Sequence, residues 1–256
     1  MRVLKEGIPI TKLQRTFADA ILATRSIGLK YLWIDTLCII QGSDDDAKDD
    51  WRTEAMHMGD IYENSLCTIA ATHAANSTVG CFIERDPRLL KHCKHYPPVA
   101  LRLGNHSQVY ILDEELWESV SMGPVNSRAW VIQERLLSPR IVHFCAQQLF
   151  WECAELGACE SFPAGLPAQF MEQPPSGAKI PVNEFKALLT LSLSPEESSP
   201  SEAYRHWTRI VAKYSQCGLT YVTDKLIALT GTPYQGPGSE EFELDSTAGR
   251  HGRGLR

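Results

Sequence analysis

This sequence predicts an α/β fold: a mainly parallel sheet flanked by helices, followed by a helical C-terminal segment. Three observations carry that reading. Residues 31–40 (YLWIDTLCII) form a near-continuous apolar run broken only by Asp35, the pattern of a strand buried on both faces. Residues 66–71 (LCTIAA) form a second such run. Each is preceded by a stretch with helical periodicity, and helix–strand–helix–strand in that order argues for a parallel, helix-covered sheet.

The elements follow in order. A helix is expected over about residues 16–27, where Phe17, Ala20, Ile21 and Thr24 share a face and Gly28 supplies the stop. Residues 31–40 are the first strand, and residues 42–50 an acidic loop. The next helix is expected to start at Asp49 or Asp50, either a good N-cap, with Trp51, Ala55, Met58 and Tyr62 as its core face. Residues 84–98 are charged and His-rich and read as an exposed insertion. Residues 99–103 and 108–112 alternate like a hairpin around Gly104-Asn105. Residues 127–138 (SRAWVIQERLLS) form a well-marked helix stopped by Pro139. Residues 140–145 and 148–153 are two short strands in a further hairpin. Residues 154–181, rich in Pro, Gly and Ala, read as a linker or long loop. Beyond lie a helix over residues 201–216, with Tyr204, Trp207, Ile210, Val211 and Tyr214 as its stripe, and a short one capped by Thr223 or Asp224. A Gly-rich tail over residues 233–256 is expected to be disordered. The division that results is a domain over 1–160, a linker over 161–181, a helical segment over 182–232 and the tail.

Bulk properties exclude several classes. The chain has 256 residues, 43% of them hydrophobic, which suffices for one sizeable core. Its net charge is −6 and no basic block appears, so nucleic acid is not the expected partner. No apolar run approaches the ~18 residues of a membrane helix, and no secretory leader opens the sequence. A cytoplasmic protein is the expectation, with its eight cysteines reduced. His143, Cys145, Cys153 and Cys159 match no common zinc spacing, and no metal is expected. The G-x-S-x-G elbow, the P-loop and the G-x-G-x-x-G fingerprint are all lacking.

Two constellations can carry chemistry. Trp130 and Glu134 stand four apart on one helix face. A carboxylate beside an aromatic ring is desolvated and suited to acid–base work, and the ring can stack on a sugar or base. The other reading is an ordinary amphipathic helix with Trp130 and Leu136 inward and Glu134 solvated. Asp35 interrupts a buried strand and needs a partner: backbone N–H groups, an arginine such as Arg128, or a ligand at the carboxyl ends of the strands. Glu54, after the acidic loop, is a third candidate and is expected to be an exposed charge or to sit in a salt bridge.

Three ordered blocks resemble the fungal heterokaryon-incompatibility (HET) domain: TFADAILATRSIGLKYLWIDTLCIIQ from Thr16, DDWRTEAMHMGDIYENSLCTIAAT from Asp49 and SRAWVIQERLLSPRIVHFCAQQLFWEC from Ser127. The resemblance covers roughly residues 7–160. It implies a signalling domain of non-self recognition and programmed cell death, acting through a protein partner or self-association, with no cofactor required. The HET domain in turn resembles the TIR domain, a flavodoxin-like fold some of whose members cleave NAD. Their catalytic glutamate lies four residues after a tryptophan, and SRAWVIQERL looks similar. That likeness implies a second reading, an NAD glycohydrolase with Glu134 catalytic, Trp130, Asp35 and Arg128 lining the nucleotide site, and NAD as the substrate. The resemblance further implies a chain that starts after the family's first strand, and it departs from the family's Q-D-D at Gln41-Gly42-Ser43. An inactive, truncated copy is the third reading.

Overall fold

The computed structural model of the chain describes residues 7–90, 93–95, 109–111, 117–166, 185–186 and 200–219. Helix α1 (Arg15–Ser26) forms where the first apolar stripe predicts it, burying Ala20 and Thr24. It stops before Gly28, whose φ of +80° only glycine adopts without strain. Buried Asp19 holds the turn that follows the sheet's first strand. Its carboxylate accepts the N–H groups of Cys81 (2.8 Å) and Phe82 (3.3 Å). A β-carbon on Gly80 would stand 2.5 Å from that carboxylate, so the turn requires glycine.

The expected strand over residues 31–40 does not form. The chain runs extended to Ile34 and then closes one helical turn, α2 (Asp35–Cys38). The cause is Asp35 itself. Its Oδ1 accepts both the N–H (2.6 Å) and the hydroxyl (3.0 Å) of Thr36, a local bond that competes with a sheet ladder. Tyr31, read as core, is 92% exposed, whereas Ile39 is buried.

Helix α3 (Asp45–Glu63) starts earlier than Asp49 or Asp50. Asp44 is the N-cap, its carboxylate accepting the Ala47 N–H at 2.8 Å. Most of the presumed acidic loop is therefore the first turns of a helix, where Asp45 and Asp46 complement the dipole. Asp50 has another task, accepting the Ile40 N–H at 2.7 Å. Ala55 and Met58 are buried as expected, while Trp51 and Tyr62 are half-buried.

The sheet has four strands in the order β1 (Thr68–Ala70), β4 (Arg140–Phe144), β5 (Leu149–Cys153), β6 (Gly157–Cys159). Here β1 and β4 are parallel, with Ile69 opposite Val142. The β4–β5 and β5–β6 pairs are antiparallel. The sheet is thus mixed rather than mainly parallel, because the predicted β4–β5 hairpin contributes half of it and β6 extends it from within the presumed linker. A separate ribbon pairs β2 (Cys93–His95) with β3 (Val109–Ile111). The partner of 109–111 therefore comes from the stretch read as an insertion; residues 99–103, the expected partner, lie outside the described residues.

Between β1 and β4 the chain passes through a short helix α4 (Glu118–Ser121), a 3-10 turn (Pro124–Ser127) and helix α5 (Trp130–Leu137). Two apolar clusters close around them. Trp117, Val120, Cys145, Phe150 and Cys159 form one. Ala129, which precedes α5, and Ile132 and Leu136 of α5 form the other with Phe185 and with Ile210 and Tyr214 of α6 (Pro200–Ser215). Helix α6 forms at its predicted place, though Tyr204 of its presumed stripe is exposed. The helix expected after Thr223 and the tail lie outside the described residues. No helix among the described residues is long and apolar enough to cross a membrane.

Candidate acid–base site around Glu134

Helix α5 has two working faces. One packs Ala129, Ile132 and Leu136 into the core; the other turns Trp130 and Glu134 toward α3. The two helices approach closely at Gly59, where a β-carbon would stand 3.4 Å from Leu137 Cδ1. That approach, one turn from Tyr62, brings its phenol to the Glu134 carboxylate, to which it donates a hydrogen bond. The Trp130 ring meets Trp51 of α3 edge-on, with centroids 6.4 Å apart, and Trp33 meets Tyr62 likewise at 5.8 Å. Trp33 thus packs on the phenol of the pair, while Trp51 and Trp130 pack on each other between the same two helices.

The electrostatics single out Glu134. Burial pushes its carboxyl up to about 7; Arg128 draws it down, Asp35 pushes it further up, and the Tyr62 hydrogen bond lowers it. Burial also raises the Tyr62 phenol well above its ordinary value, with Glu134 and Asp35 adding to the rise. Tyr62 therefore remains a donor at any physiological pH. A half-buried carboxyl that titrates near neutrality can both hold and release a proton there, the property acid–base catalysis needs.

The four residues singled out from the sequence, Glu134, Trp130, Asp35 and Arg128, are brought to one place. Asp35 acts on Glu134 from α2 and Arg128 from the residue pair before α5. No direct ion pair joins Asp35 to Arg128 among the described residues; Asp35 bonds Thr36 instead. Glu54 is half-buried rather than exposed, and it is not among the charges acting on Glu134. Tyr62 was missed as a site residue, because periodicity assigned it to the core face of α3. The available signal was its hydroxyl: a phenol in an apolar stripe needs a polar partner.

A second group of ionisable residues has a different character. Glu152 on β5 accepts a forked pair from Arg135, Nε to Oε2 at 2.8 Å and a terminal nitrogen to Oε1 at 3.1 Å. His143 Nε2 bonds the same carboxylate at 3.0 Å, and its Nδ1 meets the Thr72 hydroxyl at 3.1 Å. Arg135, with His143, holds Glu152 far below the usual carboxylate range against the cost of burial. Burial lowers His143, so the ring stays neutral. Thr72–His143–Glu152 has the order of a catalytic triad, but Thr72 and Glu152 are 0% and His143 1% exposed. No substrate reaches such a group, and its role is to bind α5 to the sheet. The cysteines that the sequence sets beside His143, and that match no zinc spacing, are similarly occupied. Cys145 and Cys159 are core, with burial pushing the Cys145 thiol up to about 12, and the Cys153 thiol meets Leu156 O at 3.5 Å.

The heterokaryon incompatibility protein (HET) family matches residues 2–134, more than half of the chain, and the chain belongs to that family. No curated protein and no solved structure matches it. The matched stretch contains Trp33, Asp35, Trp51, Tyr62, Arg128 and Trp130 and ends on Glu134. A general role in heterokaryon incompatibility follows from the family.

Proposed function

We propose that this protein serves non-self recognition ending in cell death, and that its output is the hydrolysis of NAD at the Glu134 site. The observation that carries the reading is the Tyr62–Glu134 pair: a carboxyl that burial pushes up to about 7, bonded by a phenol on which Trp33 packs, and acted on by an exposed arginine. In the reaction the bond between ribose C1′ and the nicotinamide nitrogen breaks. Its electron pair leaves with nicotinamide, which departs neutral. A water oxygen bonds C1′ and sheds one proton, giving ADP-ribose. Ionised Glu134 stabilises the cationic ribose centre as it develops and takes up the proton of the attacking water. Trp130 stacks on the substrate, and Arg128 offers a cation to the pyrophosphate.

The test is nicotinamide release from NAD by the purified chain beside Glu134→Gln. Release is expected from the native chain, rising with pH through about 7 as Glu134 ionises, and a loss of 100-fold or more in the variant, on the order of general-base contributions. Equal release from both proteins excludes Glu134 as the catalytic group. No release from a folded native chain leaves the other reading, a domain that signals by binding a protein partner or a second copy. In that case cell killing survives Glu134→Gln.

A further inference from the structure

We infer that the chain beyond the family match completes the Glu134 site: the backbone of Gly218 positions Arg128 beside Glu134, and helix α6 braces the helix that carries Glu134. The inference rests on reading Glu134 as the working carboxylate. Its basis is geometric.

Arg128 belongs to neither neighbouring helix. It follows the 3-10 turn Pro124–Ser127 in extended backbone, φ −91° and ψ 132°, before the chain enters α5. Its N–H donates to Val125 O at 3.2 Å, and its carbonyl accepts the Val131 N–H at 3.2 Å. Its neighbours on both sides are tied to a distant partner as well, through a parallel bridge to Gly218, ninety residues away in the sequence. The Gly218 N–H donates to Ser127 O at 2.8 Å, and the Ala129 N–H donates to Gly218 O at 3.0 Å. These two bonds clasp Arg128 on both sides. The Cys217 thiol adds a contact to Asn126 O at 3.6 Å.

The clasp is itself anchored. Ile210 and Tyr214 of α6 are buried against Ala129, Ile132 and Leu136, and Trp130, Trp207, Cys217 and Leu219 pack at the edge of the same cluster. One face of α5 thus rests on α6 while the other meets Tyr62. The Arg128 side chain is exposed, so little besides its backbone sets where its charge sits. The groups acting on Glu134 are Tyr62 from α3, Asp35 from α2 and Arg128, and Arg128 is the cation among them. Freeing Arg128 removes the charge that favours ionised Glu134.

The experiment uses the full chain labelled with 13C at the glutamate carboxyl, with the Glu134 resonance assigned by its loss in Glu134→Gln. Gly218→Pro deletes the N–H that bonds Ser127 O. Gly218→Ala keeps both bonds and has room, since its β-carbon would stand 3.9 Å from Ser127 O. Arg128→Gln sets the largest shift available. The native midpoint of about 7 is expected to rise in Arg128→Gln and, by half a unit or more (about threefold in the proton equilibrium), in Gly218→Pro, while Gly218→Ala stays at the native value. A Gly218→Pro protein with native melting behaviour and an unmoved midpoint overturns the inference, as does an unmoved Arg128→Gln. If Gly218→Pro does not fold, Leu219→Ala loosens the same junction: an upward shift supports the clasp and an unmoved midpoint overturns it. The titration needs no turnover. Failure of native protein to release nicotinamide therefore sinks the enzymatic reading and leaves this result standing on its own.

Discussion

Two glutamates eighteen residues apart, Glu152 fully buried and Glu134 half-buried, are driven in opposite directions. Glu152 receives the Arg135 fork and a His143 bond and stays ionised. Glu134 has one phenol and a more distant guanidinium, so burial prevails and its carboxyl rises to about 7. The stability consequence has a definite sign. Between the unfolded value near 4.5 and the folded value near 7, the folded chain binds a proton that the unfolded chain has lost. Folding therefore weakens as pH rises through that window, by about 3 kcal/mol. Glu134→Gln carries no such charge. It is expected to match the native chain in thermal unfolding at pH 4.5 and to exceed it at pH 8. A native advantage at pH 8 would show that ionised Glu134 is better paired than the geometry indicates.

At the scale of elements, the same contest between local bonds and tertiary partners decides what the sequence reveals. Helix α1, the core stripe of α3, the β4–β5 hairpin and α6 were legible from their periodicity, with Gly28 marking the end of α1 and Pro139 the start of β4. Residues 31–40 misled because Asp35 closes a turn on Thr36 that an apolar run does not announce. Strand β6 was illegible because Gly-Ala-Cys carries no pattern of its own; only pairing with β5 makes it a strand. The site followed the same rule. Trp130 and Glu134 are related by helical spacing and were readable, whereas Tyr62 joins them only through the packing of α3 on α5. The start of α3 shows how fine the choice is, since any of Asp44, Asp45, Asp46, Asp49 and Asp50 is a chemically adequate cap. Asp44 holds the Ala47 N–H, while Asp49 pairs with Arg52 where both are exposed. Asp44→Ala is expected to cost ~1 kcal/mol in urea unfolding and Asp49→Ala less than about 0.5 kcal/mol. Reversal of that order would move the cap.

For the molecule as a whole, the family match ends at Glu134 but the physical unit does not. The inner face of α5 is covered by Phe185, Ile210 and Tyr214. The Lys186 ammonium donates to Arg135 O and Ser138 O at the end of α5 and acts on Glu152, although burial brings it down to about 8. The Phe185 ring lies 4.4 Å from the Arg135 guanidinium carbon. Removing these residues strips three apolar anchors worth ~1.5–3 kcal/mol each and takes a cation from a buried charge group. That loss is comparable with the ~5–15 kcal/mol total of an ordinary domain. A chain ended after Leu166 keeps all four strands of the sheet and every site residue, yet it is expected to melt without a cooperative transition and to bind a hydrophobic dye that the full chain does not. A sharp melt with no dye binding would mean that the first 166 residues close their own core. The Glu134 site would then stand without α6, and the face of α5 now covered by Ile210 and Tyr214 would be dispensable to the fold.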